Sequence, residues 1–442
     1  MSHFFRAFRH RNYQLFFSGQ LISLTGTWMQ TVAESWLVYR LTGSSVLLGV
    51  AAFCSQIPVF VLAPIGGTVA DRANRHRIMV TTQSISMVLP LILSALTFSG
   101  RVQVWHVFML ATCLGIVNAF DIPARQSFVV EMVGREDLLN AIALNSSMVN
   151  GARVVGPAVA GILVAAVGEG WCFLLNGISY VAVIAGLLMM EVPKSGRERR
   201  PHSPFRDTAD GFRFVARTAP VRALLVLLGI MSFAGMPYAV LMPVFARSIL
   251  HGGARELGIL MAASGIGALG GALSLAARRH VHGLGAWVAI AAGGFGIALG
   301  LFSLSHTFWL SVVLLVPVGA SMMVEMAASN TLIQAMVPNA LRGRVMAVYS
   351  MMFLGMAPFG GLWAGYVAER IGAPATVAIG GAICVVAAIV FRVHLPSLRG
   401  EARELIVAQG LGAGEPPQEI TGPGDQVPLQ ASGRLPAVAE RP

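Results

Sequence analysis

Apolar stretches long enough to cross a bilayer recur twelve times along the chain, separated by short polar breaks. They run at roughly 13–40, 44–70, 78–99, 103–123, 140–167 and 171–191, then at 221–247, 256–278, 284–304, 307–333, 344–369 and 373–393. About 20 helical residues cross the hydrocarbon. Extended backbone could not do so with its amides unpaired, so each stretch is expected to be a helix. The longest internal break, Val192 to Arg222, carries Lys194, Arg197, Arg199, Arg200, Arg206, Arg213, Arg217 and Arg222. It divides the pattern into six plus six: an N-terminal bundle (1–191), a linker (192–220) and a C-terminal bundle (221–396). The remainder, 397–442, is rich in Gly, Pro, Gln and Glu and reads as a disordered tail.

One stretch departs from uniform apolarity. The first carries Gln20, Ser23, Thr27, Gln30, Thr31 and Glu34, spaced by three, four and seven residues. That spacing lines one face of a helix with polar groups, as a helix bordering a water-filled cavity needs.

Composition agrees with the pattern. Charged residues make up 12 % and hydrophobic residues 55 %, with a mean hydropathy of +0.71, whereas soluble domains carry about 25 % charged residues. The formal net charge of +11 could suggest nucleic acid, but its placement explains it otherwise. With the N-terminus in the cytoplasm, all but six of the 31 Lys/Arg residues fall on the cytoplasmic side. Arg40, Arg101, Arg247, Arg255 and Arg370 fall outside, and Arg153 lies within a span. This is the positive-inside pattern, with both termini cytoplasmic. The start, MSHFFRAFRHRNYQLFF, leads into an apolar segment too long for a signal peptide, so no cleaved leader is expected. Cys54, Cys113, Cys172 and Cys384 are scattered and no metal-ligand spacing appears. No cofactor or metal is expected.

The halves match at a constant offset of 204 residues. Gly66-Gly67 and Arg75-His76 recur as Gly270-Gly271 and Arg279-His280, and Gly115 as Gly319. Ala143, Ser146, Met148, Gly151, Gly156, Ala160, Gly161 and Gly168 recur at 347, 350, 352, 355, 360, 364, 365 and 372. Two parallel six-helix repeats related by an axis along the membrane normal would produce this.

The loop after the second stretch reads Gly67-Thr-Val-Ala-Asp71-Arg72-Ala-Asn-Arg75-His76-Arg77. It resembles the loop signature of the major facilitator superfamily, which implies that fold: an all-α membrane protein of twelve helices in two pseudo-symmetric bundles. Gly67 is expected to permit close helix approach. The resemblance further implies that Asp71, Arg72 and Arg75 latch the cytoplasmic side against the start of the eleventh helix, around Arg342 and Arg344. The second copy, Gly271 to His280, lacks the aspartate. Gly156-Pro157-Ala-Val-Ala-Gly161 is similar to the antiporter motif of drug-exporting members, although Ala160 stands where that motif prefers glycine; small residues there favour close packing. Trp36 to Ser44, Pro123-Ala-Arg125-Gln126 and Arg342-Gly343-Arg344 resemble the bacterial secretion-effector branch, which includes siderophore and macrolide exporters. The resemblance covers roughly residues 5–395.

Ionisable groups within spans are costly and so are functional candidates. Glu34, in the outer third of the first stretch, could exchange a proton or bind cargo, since charge is expensive in an apolar cavity; an outer-gate role is the alternative. Arg153 needs an acceptor, for which Glu34, Asp121 or a cargo anion would serve. Asp121 and Glu325 are related by the 204-residue offset, and both are expected to act, with Arg125, at a cytoplasmic gate; proton carriage is the alternative for the two acids. Gln20, Thr27 and Gln30 are expected to line the cavity with Glu34.

A phosphate-binding GxxxxGK[ST] loop is absent, and Lys194 is the only lysine. No clustered catalytic set is visible, so enzymatic activity is not expected. What remains is a secondary carrier in the bacterial inner membrane, working as a monomer with a small-molecule cargo, protons and the lipid bilayer as partners and no nucleic acid. Export by proton antiport is favoured by the antiporter-like motif; uptake, or sensing on the same scaffold, is the alternative.

Overall fold

A computed structural model of the chain describes residues 3–134, 136–191, 204–277 and 283–411. Among them there is no strand; the chain is a succession of long helices. The first half contains span 1 (Arg11–Thr42), span 2 (Ser45–Arg72), span 3 (Arg75–Phe98), span 4 (Val104–Val133), span 5 (Leu138–Val167) and span 6 (Glu169–Leu188). A linker helix (Pro204–Arg217) follows. The second half contains span 7 (Ala219–Ile249), span 8 (Ala254–Ala276), span 9 (Leu284–Ser303), span 10 (Phe308–Met336), span 11 (Asn339–Ile371) and span 12 (Ala373–Leu411). Eleven of these helices are long and apolar enough to cross a membrane among the described residues. Span 1 is long enough at 32 residues but less apolar, because of the polar positions noted above. It lies within the bundle, packed along spans 5 and 6.

The breaks between helices have local causes. The side chains of Ser44 and Asn74 accept from the backbone N–H groups of Leu47 and Arg77 and start spans 2 and 3. Gly168 and Gly372, partners under the 204-residue offset, both have positive φ, +90° and +88°. Each turns the end of one span directly into the next, a conformation that favours glycine. The sequence repeat is therefore repeated in the backbone.

Two differences from the expected helices stand out. Span 7 is irregular: a π-helical turn (Met231–Gly235), a 3₁₀ turn (Met236–Ala239) and a second π-helical turn (Phe245–Ile249) interrupt it around Pro237 and Pro243. Proline cannot donate to the helical ladder and displaces the preceding turn. Span 12 does not stop near residue 396. It continues as helix to Leu411, so residues 397–411 are helical rather than disordered tail.

Packing within each half relies on backbone contact. Span 2 lies on span 4, and span 8 on span 10. A Cβ on Gly66 would lie 1.9 Å from the carbonyl oxygen of Ala119, whereas one on Gly67 would meet nothing within 4 Å. The expectation that Gly67 provides the close approach is thus corrected by one position. Gly66 faces span 4; Gly67 faces the space between the halves.

The halves meet along spans 2 and 11 and along spans 5 and 8. The tight contacts lie toward the end where spans 1, 5 and 11 finish, here termed the far face. Gly49 approaches the carbonyl of Gly361, and Gly258 that of Pro157. At the rim of this face, Glu369 of span 11 accepts from the backbone N–H of Ser45 at 2.7 Å. A carboxylate at the N-terminus of span 2 is favoured by the unpaired amides and the helix dipole. Tyr39 and Ser248 add a 2.8 Å hydroxyl pair between the halves. The opposite side, which carries the linker helix, is termed the linker face.

This packing predicts a sharp difference between neighbouring glycines. Gly66→Leu should lower the thermal midpoint of the purified protein strongly or abolish folding, since overpacking typically costs about 1–3 kcal/mol and here the obstacle is backbone. Gly67→Leu should leave the midpoint nearly unchanged.

Candidate functional site

One cavity of about 2580 Å³ lies between the halves. Its deep end, toward the far face, is bordered by Thr27, Gln30, Thr31 and Glu34 of span 1. Its mouth on the linker face is bordered by Asp71, Arg72, Arg75, Glu131 and Arg344. Trp28, Phe60, Tyr180 and Tyr238 contribute aromatic surface between these ends. The irregular part of span 7 also lines the cavity, through Met236, Tyr238 and Met242. Non-helical backbone is tolerated at membrane depth in such a position.

Four of the six polar positions of span 1 line this space: Thr27, Gln30, Thr31 and Glu34. Gln30 accepts from the Asn176 side-chain amide at 2.5 Å, which ties the polar face to span 6. Glu34 lies against Gln30 one turn away. Gln20 does not line the cavity. It is buried inside the first bundle, where its side-chain oxygen accepts from Arg125 at 3.3 Å.

Asp121 and Arg125 are likewise interior groups. Asp121 is 3 % exposed and accepts from Thr82 at 2.8 Å and Gln83 at 2.9 Å. Arg125 lies 3.5 Å away, one turn along the same helix. Spans 1, 3 and 4 are thus joined by one polar network that keeps a buried carboxylate compensated. Glu325, its repeat partner, is also buried and accepts from Ser329 at 3.1 Å. The offset that carries Asp121 to Glu325 carries Arg125 to Ser329, so the cation is not repeated. Neither acid stands at the cavity mouth in this conformation, which removes the geometric ground for treating them as gate residues.

At the mouth, Arg75 binds Glu131 at 2.8 Å and Asp71 at 3.6 Å. Arg344 binds Asp210 of the linker helix at 2.9 Å, and that helix approaches closely enough for a Cβ on Gly211 to lie 2.8 Å from the Arg344 carbonyl. Asp71 and Arg344 therefore border the same opening, each with a partner from its own side. Arg72 and Arg342 are exposed. The second copy of the loop signature, at Arg278 to His280, lies outside the described residues.

Gly156 and Gly161 both pack closely, against different neighbours. Gly161 meets the backbone of Ala254, Arg255 and Gly258 on span 8, with Pro157 alongside. Gly156 leaves room for Trp28, whose Cβ would be 2.5 Å from a Cβ at that position. Arg153 lies on the cavity wall with its guanidinium carbon 5.0 Å from the Trp28 ring centroid. It forms no ion pair with Glu34 or Asp121 among the described residues.

Sequence reasoning missed Glu369, Asp210, Trp28 and Tyr238. The first two are ordinary acids until the fold places them opposite a helix end and an arginine from distant segments. Trp28 follows Thr27 on the polar face, and an aromatic among polar cavity positions was the available signal.

The sequence profile of the transmembrane secretion effector family matches residues 2–410. The chain belongs to that family. It is similar to the staphyloferrin A transporter of Staphylococcus aureus (strain NCTC 8325 / PS 47), 26 % identical over 85 % of this chain and 94 % of the relative. It is also 26 % identical to the enterobactin exporter EntS of Shigella boydii serotype 4, over 80 % of this chain and 86 % of the relative. Among solved structures, a POT family transporter bound to 5-aminolevulinic acid superposes with a TM-score of 0.71 at 11 % identity, covering 88 % of this chain and 97 % of that one. The nucleoside transporter NupG gives 0.65 at 14 %, covering 87 % of this chain and 98 % of that one. The fold is the major facilitator fold. As a member of the family the chain is a multi-pass secondary transporter of the inner membrane, not an enzyme.

The contrast between the two aspartates is testable. Removing one partner of a buried pair costs about 3–5 kcal/mol, with the lower end expected here because Arg125 is 28 % exposed. Asp121→Ala should lower the thermal midpoint markedly. Asp71, whose side chain is 75 % exposed, should tolerate Asn with little change in midpoint, so any transport defect of that variant would be one of mechanism.

Proposed function

We propose that this protein exports a small molecule, a siderophore or a drug-like metabolite, in exchange for protons by alternating access. The observation that carries the reading is the large cavity between the halves, lined at the linker face by Asp71, Arg72 and Arg344 and at the opposite end by Glu34. The density of arginines beside the linker face supports a cytoplasmic assignment for it and for both termini. Cargo would then enter from the cytoplasm in the conformation described.

The two bundles, spans 1–6 and spans 7–12, rock about the cavity and are joined by the segment that carries the linker helix. Closing the cytoplasmic side brings Asp71 toward the start of span 11, where it replaces Asp210 as the partner of Arg344. Export is supported by the relative EntS, an enterobactin exporter, and by the antiporter-like Gly156 to Gly161 segment. A siderophore-type cargo is supported by both relatives' names.

Glu34 is the proton site in this reading. Its position makes it, of the acids that line the cavity, the one nearest the far face and so the first of them met by solvent when that face opens. An ionised Glu34 accepts hydrogen bonds from cargo; a protonated one does so more weakly, so proton and cargo exclude each other. Glu34→Gln mimics the protonated form at nearly constant volume. Cargo flux through proteoliposomes, with and without an imposed pH gradient, tests the assignment. The variant should bind cargo more weakly than wild type, though still measurably through the other cavity contacts, and lose gradient-driven flux by at least about tenfold. Wild-type gradient-driven flux in Glu34→Gln would exclude Glu34 as the coupling site.

A further inference from the structure

Four arginines line the cavity: Arg72, Arg75, Arg153 and Arg344. Three stand at the mouth, where Arg75 is paired with Glu131 and Asp71, Arg344 is paired with Asp210, and Arg72 is exposed to solvent. Arg153 is different. It projects from the middle of span 5, and among the described residues its side chain has neither an ion pair nor a hydrogen bond. Its Nε is buried with no hydrogen-bond partner. Only the Nε is buried in this way, and Arg153 itself lines the cavity. The repeat gives it no counterpart, since position 357 is alanine.

The surroundings hold this cation in place without neutralising it. Gly156 admits Trp28, and the Trp28 ring lies under the guanidinium at 5.0 Å, a cation–π geometry that steadies the charge without satisfying its hydrogen-bond donors. The backbone below is fixed by close contact with span 8, where a Cβ on Gly265 would lie 3.0 Å from the Arg153 carbonyl. Tyr238 is close enough to act electrostatically on Arg153, yet its hydroxyl is engaged with Ser264 at 2.7 Å. A charge at membrane depth with no protein acceptor is costly unless something in the cavity meets it.

We infer that Arg153 and Trp28 form the anion-binding point of the cavity, and that the cargo carries a carboxylate or a comparable planar oxyanion beside an aromatic or unsaturated group. The guanidinium fork matches a planar oxyanion in two parallel hydrogen bonds. Trp28 offers the adjoining apolar group a face. Glu34 does not pair with Arg153, so the anionic group and the exchangeable proton occupy separate points, and Glu34 meets the hydrogen-bond donors of the same cargo. The inference rests on the transporter reading above and adds the charge of the cargo to it.

The test uses the full chain in phosphatidylcholine nanodiscs, which supply no anionic lipid, and three probes of one shape: 1-naphthoate, 1-naphthamide and 1-naphthylmethylammonium. Affinities are measured by isothermal titration. Wild type should bind the carboxylate at least about tenfold more tightly than the amide and bind the ammonium most weakly. Arg153→Gln should erase that preference while still binding the amide, and Arg153→Lys should keep part of it. Thermal midpoints establish that the variants are folded, and the wild-type order of the three probes decides the matter even if Arg153→Gln is not. Equal affinities, tighter binding of the ammonium, no carboxylate binding at millimolar concentration, or a preference unchanged in Arg153→Gln would overturn the inference. Gradient-driven flux in wild type without a carboxylate preference would refute the anion site alone. A carboxylate preference without flux would refute the transporter reading alone.

Discussion

Every polar group held within the apolar slab must be met by protein, cargo or water, because lipid offers no partner. This constraint explains where the charged residues of the chain stand. Asp121 is met by Thr82, Gln83 and Arg125 and disappears into the first bundle. Glu369 is met by the amides that begin span 2 and closes the far face. Glu34 and Arg153 face the cavity and form no pair with each other. The groups that satisfy one another hold the fold, and Glu34 and Arg153 are left to the contents of the cavity.

The same constraint shapes the packing. Helices in lipid gain little from burying apolar side chains against one another, so close backbone approach at small residues carries much of the association. Gly66 on Ala119 within a half, and Gly258 on Pro157 between halves, are such contacts. Contacts of this kind are short-ranged and sit at discrete positions. Two halves that touch through small residues at one end can part there and meet at the other without repacking a broad interface.

Much of this was legible in the sequence. Helix number followed from apolar length, and the 204-residue repeat appears again in the matched positive-φ turns at Gly168 and Gly372. Four of the six polar positions read from the spacing in span 1 line the cavity. Gln20 was misplaced because helical periodicity gives a face but not the depth at which a neighbouring helix covers it. Asp121 and Glu325 were read as gate residues from their position along the spans; their true surroundings depend on which way the helix is turned within its bundle. The assignment of close approach to Gly67 rather than Gly66 failed for the same reason. Partners contributed across distant segments, such as Asp210 for Arg344 or Trp28 for Arg153, leave no local trace.

The central claim is that one cavity is reached from one face at a time. Pulsed dipolar distance measurements address it most directly, with Cys54, Cys113, Cys172 and Cys384 replaced and spin labels placed in two pairs. One pair, at Gly134 and Ala277, spans the linker face; the other, at Arg101 and Thr307, spans the far face. Alternating access predicts that a shift in pH changes the two distance distributions in opposite directions, the linker-face pair shortening as the far-face pair lengthens. Distances that move together, or a linker-face pair that never shortens, would contradict the account.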